Sequence, residues 1–149
     1  MKFISSEHAY MAWKTLDLET RKKMASMESC GDVKKFTYAE DFPLRPDYSN
    51  EGRLEAMRII LESKFSQKNP ELCKKLLATV NSTLLEGNTW NDTFFGFDLN
   101  KGEGKNYLGQ ILMYVRDLLR IAEGLPPVKE EVFNAVINRK KAFKSTFKL

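Results

Sequence analysis

"NKGEGKNYLGQILMYVRDLLRIA", residues 100–122, sets Gly102, Gly104 and Gly109 around the start of the strongest periodic pattern in the chain. From Asn106 onward, Leu108, Ile111, Leu112, Val115, Leu118, Leu119 and Ala122 recur at helical spacing, which predicts a long helix with one apolar face. Gly124 ends it, and Pro126 with Pro127 opens a further, basic helix running to about residue 145. The glycines pose a choice. Gly102 and Gly104 let the backbone adopt positive φ, and N–H groups converging ahead of a helix N-terminus can hold an anion. The spacing G-x-G-x-x-x-x-G is neither the dinucleotide fingerprint nor a Walker A loop, so a plain turn stands as the alternative on these residues alone.

Helices dominate the rest of the chain. Ser5 and Ser6 are caps for a helix over Glu7 to Thr15, on which Ala9, Ala12, Trp13 and Leu16 make a buried stripe. A second helix follows Asp17 through "LETRKKMASM", and "CGDVKKFTYAEDFPLRPDY" (residues 30–48) keeps no period of either kind and reads as a long loop. Leu54, Met57, Ile60 and Leu61 share one face of a helix from about Glu51 to Phe65. Asn69 followed by Pro70 starts another, with a side-chain cap and proline at the first helical position. "STLLEG" and "TFFGFDL" are the two short strands. The expected fold class is therefore mainly α, an α+β chain with minor short strands, folded as one compact domain over residues 1–149.

Composition narrows the classes of function. No apolar run reaches the roughly 18 residues of a membrane span, and the N-terminal stretch lacks the apolar core of a signal peptide, so a cytoplasmic protein is expected. Cys30, Cys73 and the single histidine, His8, offer neither a zinc site nor a disulfide framework; free thiols are expected, with no metal and no cofactor. The net charge of +4 sits in the tail, where Arg139, Lys140, Lys141, Lys144 and Lys148 meet no acid, so the body is close to neutral. Such a tail is a solvated helical face or a weak nucleic-acid arm.

Four stretches, "SSEHAYMAWK" (5–14), "GRLEAMRIILESKFSQ" (52–67), "LLATVNSTLLEGNTWNDTFFG" (76–96) and "GEGKNYLGQILMYVRDLLR" (102–120), together resemble the YbiA-like family, also called NADAR. Its recurring pieces are a Ser-x-Glu-His helix start, a Lys-Phe ending a middle helix, a Leu-x-Glu, an Asp followed by an aromatic and Gly, and a Gly-x-Asn-x-Leu-Gly-x-x-Leu-Met-x-x-Arg helix. The resemblance implies a compact, mainly helical domain that binds ribose-phosphate or ADP-ribose-like ligands and hydrolyses an N-glycosidic bond. Riboflavin-pathway intermediates and ADP-ribosylated guanine, free or in nucleic acid, are the substrates it suggests. Breaking a ribose–base bond develops positive charge on the sugar, so a carboxylate must stabilise the cation or orient water while a donor helps the base depart.

On this resemblance Glu7, Asp92 and Glu86 are the catalytic candidates, with His8 as a general acid or a packing residue. Lys14, seven residues after Glu7, returns to nearly the same helical angle and can meet a phosphate or hold the glutamate ionised. Phe95 and Tyr48 stand where relatives commonly carry Trp, and with Trp90 they are candidates to stack on a base, core packing being the other reading. Asp92 has a second reading as a turn residue. Lys64, Gly104, Asn106 and Arg116 complete the expected ligand-binding set, the glycine turn then facing the sugar or its phosphate.

Relatives usually carry a segment ahead of the Ser-x-Glu-His helix, and only four residues precede Ser5, so either the chain dispenses with that wall or residues 30–48 or the helix after Pro127 supply it. Two other classes stay open. One is a module that sequesters an ADP-ribose-like nucleotide without cleaving it; the other is a nucleic-acid-binding protein driven by the basic tail.

Overall fold

The computed structural model describes residues 1–128. Among them are six helices and two short strands, in the order α1 (Ser6–Trp13), α2 (Leu18–Ala25), α3 (Cys30–Phe36), α4 (Asn50–Lys64), α5 (Pro70–Leu77), β1 (Gly87–Asn88), β2 (Phe97–Asp98) and α6 (Tyr107–Ala122). The mainly helical, α+β class expected from the sequence is the class observed. The helix expected after Pro127 and its basic residues lie outside the described residues. The chain forms two compact units, Met1–Ile60 and Leu61–Leu149, with α4 carrying the boundary.

In the first unit α1 packs on both α2 and α3. Ser5 caps α1, its Oγ accepting the His8 N–H at 3.2 Å, and the Arg21 Nε of α2 closes the other end by donating to the Ala12 and Thr15 carbonyls. Because α1 ends at Trp13, the expected stripe does not extend to Leu16, which is 57% exposed. Contact with two helices instead buries His8, Tyr10, Met11 and Ala12, facing a core that includes Met24 and Val33. The stretch expected to be a loop begins as α3: Ser29 Oγ accepts the Asp32 N–H at 3.3 Å, and Val33 is fully buried. Beyond α3 the chain returns beside the end of α1, where the Arg45 N–H donates to the Lys14 carbonyl at 2.8 Å and Thr15 bridges Leu44. On α4, Gly52 lies where a Cβ would come within 3.2 Å of the Trp13 ring, so glycine gives that indole its place.

In the second unit α5 packs on α6. Pro70 occupies the first turn as expected, but Asn69 makes no side-chain cap; its Nδ2 donates backwards to the Lys64 carbonyl at 2.9 Å. The two expected strands pair only at their ends, in parallel, Gly87 with Phe97 and Asn88 with Asp98. Their other residues have different partners. Leu84 and Glu86 are held by the Asn106 side chain, while Phe94 and Phe95 donate their N–H groups to Asp92 Oδ1.

α6 buries Ile111, Met113, Tyr114 and Val115 together with Arg116 and Asp117. Of the expected stripe only Ile111 and Val115 are buried, and Ala122 is exposed. Two polar residues of the helix serve backbone instead: Arg116 Nη1 donates to Thr79 Oγ1 and to the Ser82 carbonyl, and Asp117 Oδ1 accepts the Val128 N–H. Gly124, at φ +77°, ends the helix as expected, with the Leu125 N–H on the Arg120 carbonyl and the Gly124 N–H on that of Ile121. No helix among the described residues is long and apolar enough to cross a membrane, and both cysteines are free thiols.

Candidate active site

Four of the twelve candidate residues, Glu7, His8, Lys14 and Tyr48, fall in the first unit, Glu7 and His8 in the first turn of α1 and Lys14 at its C-cap. Tyr10 stacks on Trp13 at 6.0 Å and 14°, and Tyr48 leans on the same indole at 5.7 Å and 40°. The Arg45 guanidinium covers Trp13 at 4.5 Å, locked by Asp47, whose oxygens accept from Nε at 2.6 Å and Nη2 at 2.8 Å. That pairing holds the Asp47 carboxyl below the usual carboxylate range. Arg53 Nε donates to the Tyr10 hydroxyl at 3.1 Å, and burial nevertheless pushes the Tyr10 phenol up.

Lys14 is the electrostatic centre of this cluster. Its ammonium lies 5.7 Å from the Tyr10 ring centroid and 6.0 Å from that of Tyr38. Burial lowers its pKa most, Glu7 opposes that shift, and the charges of Arg53 and Lys34 add to it. Glu7 and Lys14 are both half-buried, and the charge of Glu7 acts on Lys14. His8 is different. It is fully buried, with Nε2 3.0 Å from the Met27 carbonyl and Nδ1 2.8 Å from Ser5 Oγ. A carbonyl only accepts, so Nε2 carries a proton and both ring nitrogens are engaged within the unit.

The other eight candidates lie in the second unit. Asp92 sits in a tight turn in which its Oδ1 accepts the Phe94 and Phe95 N–H groups, each at 3.0 Å. Asn88, 2% exposed, grips the same residue through both backbone groups: Oδ1 accepts the Asp92 N–H and Nδ2 donates to the Asp92 carbonyl. The turn that holds Asp92 also presents Trp90, 66% exposed. Glu86 is half-buried, and any side chain on Gly96 would stand 2.9 Å from its Oε2 and 2.5 Å from Asn88 Nδ2. Gly96 is therefore what lets these two polar groups sit side by side. Lys64, half-buried at the end of α4, holds its Nζ 5.8 Å from the Phe65 ring.

Several N–H groups in and after the glycine turn are engaged within the second unit. Gly102 donates to the Asp98 carbonyl, Lys105 to Thr93, Asn106 to Gly96, Tyr107 to Phe94 and Leu108 to Phe95. The donors of the turn and of the first residues of α6 thus clamp residues 93–98. A Cβ on Gly104, at φ +155°, would stand 2.4 Å from the Gly96 carbonyl oxygen, so that glycine serves a close approach of two backbones. Asn106 has both amide atoms on Leu84 and Glu86. Phe95 is 7% exposed, edge-on to Phe94 at 4.9 Å, and reads as core; Arg116 is fully buried.

Sequence reasoning missed Tyr10, Arg53, Lys34, Tyr38 and Asn88. Ser29 three residues ahead of Asp32 is a helix-start pattern that would have placed Lys34 on a helix. The pattern of the NADAR domain matches residues 1–120, a stretch that runs through both clusters. The chain belongs to the NADAR family. It is 36% identical over 117 residues to N-glycosidase YbiA of Escherichia coli, covering 78% of this chain and 71% of that one. It is 37% identical over 116 residues to a riboflavin biosynthesis protein, VVA0006, of Vibrio vulnificus, covering 78% of this chain but only 30% of that longer protein. The NMR structure of the E. coli protein YbiA superposes with a TM-score of 0.71 at 32% identity, over 81% of this chain and 70% of that one. The names of these NADAR relatives support a glycosidase enzyme.

Proposed function

We propose that this chain is an N-glycosidase that hydrolyses the bond between a phosphorylated ribose, or the ribose of ADP-ribose, and its base. The reading takes residues 1–149 as one NADAR domain acting in the cytoplasm without a metal or cofactor. The observation that carries it is the half-buried Glu7 on α1, with Lys14 at the C-cap of the same helix and its ammonium 5.7 Å from the Tyr10 ring centroid. A carboxylate can stabilise a developing sugar cation or orient the attacking water.

In this mechanism water adds its hydroxyl to the ribose carbon as the carbon–nitrogen bond breaks, and its proton ends on the departing base. Glu7 stabilises the developing cation or orients the water. In the second unit Asp92, fixed at Oδ1 by two backbone N–H groups, and Glu86, just ahead of β1, are the candidate carboxylates. Lys14 meets a phosphate, and the exposed indole of Trp90 stacks on the base. The name of the Vibrio relative favours a riboflavin-pathway intermediate; ADP-ribosylated guanine, free or in nucleic acid, is the other substrate the site chemistry allows.

The test is product release from both substrate classes by the wild type and by Glu7→Gln and Asp92→Asn. Each change should lower turnover by roughly 10²–10⁴-fold while ligand binding persists. Turnover that survives both changes overturns the assignment, and intact recovery of bound ligand from the wild type makes the chain a binding module.

A further inference from the structure

Trp90 and Asp92 lie in one turn, residues 88–92, and a single buried amide holds the backbone of both. Asn88 Oδ1 accepts the Trp90 N–H at 3.3 Å and the Asp92 N–H at 3.0 Å, while its Nδ2 donates to the Asp92 carbonyl at 2.8 Å. Both lone pairs of one oxygen and a donor are used at once. Aspartate lacks the donor, and serine offers one oxygen closer to the backbone, so an amide is what this turn requires. Asn88 itself is anchored in the β1–β2 pairing opposite Asp98, and its carbonyl accepts the Leu99 N–H at 2.8 Å. Gly96 leaves room for the amide, since a Cβ there would stand 2.5 Å from Nδ2. Within the turn Asn91 adopts φ 64°, a region that residues other than glycine enter uncommonly. On the outer side Asn100 Nδ2 reaches the Thr89 carbonyl at 3.3 Å and Lys101 Nζ reaches Asn91 Oδ1 at 2.7 Å, both exposed bonds for which water competes.

We propose that Asn88 is a positioning residue that sets the Asp92 carboxylate and the Trp90 indole as one piece, so that one amide governs both turnover and the hold on the base. The inference rests on the reading of Asp92 as a carboxylate of the site and Trp90 as its base platform, and adds the residue through which both are placed. Asn88 is 2% exposed and acts only through the backbone of those two.

Amide hydrogen exchange at Trp90 and Asp92, read by NMR on the full chain, tests the placement without any ligand. Asn88→Ala should raise both exchange rates roughly tenfold, and Asn88→Ser, which keeps an oxygen for one N–H, should raise them less. Wild-type rates at both amides in Asn88→Ala, or in Asn88→Ser should the alanine variant not fold, overturn the proposal. Catalysis is then assayed with ADP-ribosylated guanine and the riboflavin-pathway intermediate, using whichever the wild type cleaves. Asn88→Ala should lower kcat roughly 10–100-fold and raise KM by up to the roughly tenfold expected of Trp90→Ala. A mere loss of folded protein would scale kcat in every background. Positioning does not: Asn88→Ala should leave kcat unchanged in Asp92→Asn and leave KM unchanged in Trp90→Ala. A kcat loss that multiplies in the Asp92→Asn background makes Asn88 a scaffold residue and overturns its positioning role. If both exchange rates rise as expected but the wild type cleaves neither compound, Asn88 still sets the turn and the glycosidase reading falls.

Discussion

The side chain of Asn106 holds the backbone of Glu86: its Oδ1 accepts the Glu86 N–H at 3.0 Å, and its Nδ2 donates to the Leu84 carbonyl at 2.8 Å. Asn106 does this from the left-handed region, at φ 49°, where asparagine is tolerated better than most residues. Asn106→Gly should keep the conformation and lose both bonds, lowering unfolding free energy by about 1–3 kcal/mol. Asn106→Ala should cost about 1–2 kcal/mol more, because alanine resists that φ. Urea denaturation of the two variants separates the terms. Equal stability of Asn106→Gly and wild type would remove Asn106 from the scaffold.

Gly102 and Gly104 share a turn but not a reason for being glycine. Gly102, at φ +68°, has nothing within 4 Å of an added Cβ, whereas a Cβ on Gly104 meets the Gly96 oxygen at 2.4 Å and the Phe97 Cα at 2.6 Å. Gly102→Ala should therefore cost about 1 kcal/mol, the backbone term alone. Gly104→Ala must in addition push two backbones apart and should cost about 1–3 kcal/mol beyond that. A matched pair of thermal unfolding curves checks the order. Similar losses would mean that the clamp onto residues 93–98 is not what fixes this turn.

Lys14 sets a pH dependence with a definite sign. Its folded pKa lies below the ordinary 10.5, chiefly through burial, so between the folded value and 10.5 the unfolded chain binds more protons and stability rises with pH. Below that window the buried charge is a constant burden. Lys14→Met removes it, so the variant should be at least as stable as wild type at neutral pH, and its advantage should shrink as pH climbs to 10.5. Taking the difference between the two proteins cancels the other lysines. Glu7→Gln should move the Lys14 titration further down, since Glu7 is the group that raises it. A variant advantage that grows with pH would reverse the sign of the argument.

Trp90 is the one tryptophan free of the Tyr10, Trp13 and Tyr48 stack, and at 66% exposure its removal leaves no cavity. If it stacks on the base, Trp90→Ala should raise KM roughly tenfold, in line with 1–3 kcal/mol for one base–aromatic contact, while Trp90→Phe retains much of the binding. Melting temperatures should not differ from wild type. Unchanged KM in Trp90→Ala would leave the base without this platform.

Periodicity made the helices legible, because capping and apolar spacing act locally: Ser5, Asp17 and Pro70 start helices where the sequence says they do. It failed where long-range contact decides. Leu16 looked like the end of a stripe until the helix stopped at Trp13, and the strands shrank to two residues each because Asn106 and Asp92 capture the neighbouring N–H groups. α3 was hidden by its brevity and by the prolines that follow. In the candidate sites, helical spacing put Lys14 on the side of Glu7, and the charge of Glu7 acts on Lys14. Spacing could not show that the N–H groups of Gly102, Lys105 and Asn106 donate to carbonyls of residues 93–98.

Arg116 admits a test between two roles. A ligand-binding guanidinium would raise KM when removed and leave stability alone. The fully buried Arg116 instead donates through Nη1 to Thr79 Oγ1 and the Ser82 carbonyl, both at 2.8 Å, while Nε and Nη2 meet no partner. Between those two anchors Val80 sits at φ 47°, a left-handed conformation that a β-branched residue rarely adopts and that its surroundings must enforce. Arg116→Met should release this turn, lowering unfolding free energy by about 2–4 kcal/mol through two lost bonds to a charged group, partly offset by ending the burial of unpaired nitrogens. In that background Val80→Gly should no longer stabilise the protein, whereas in the wild type it should relieve the strain; the double-mutant cycle reads their coupling directly. Additive effects, or a raised KM at unchanged stability, would make Arg116 a ligand contact and leave the strained turn to some other restraint.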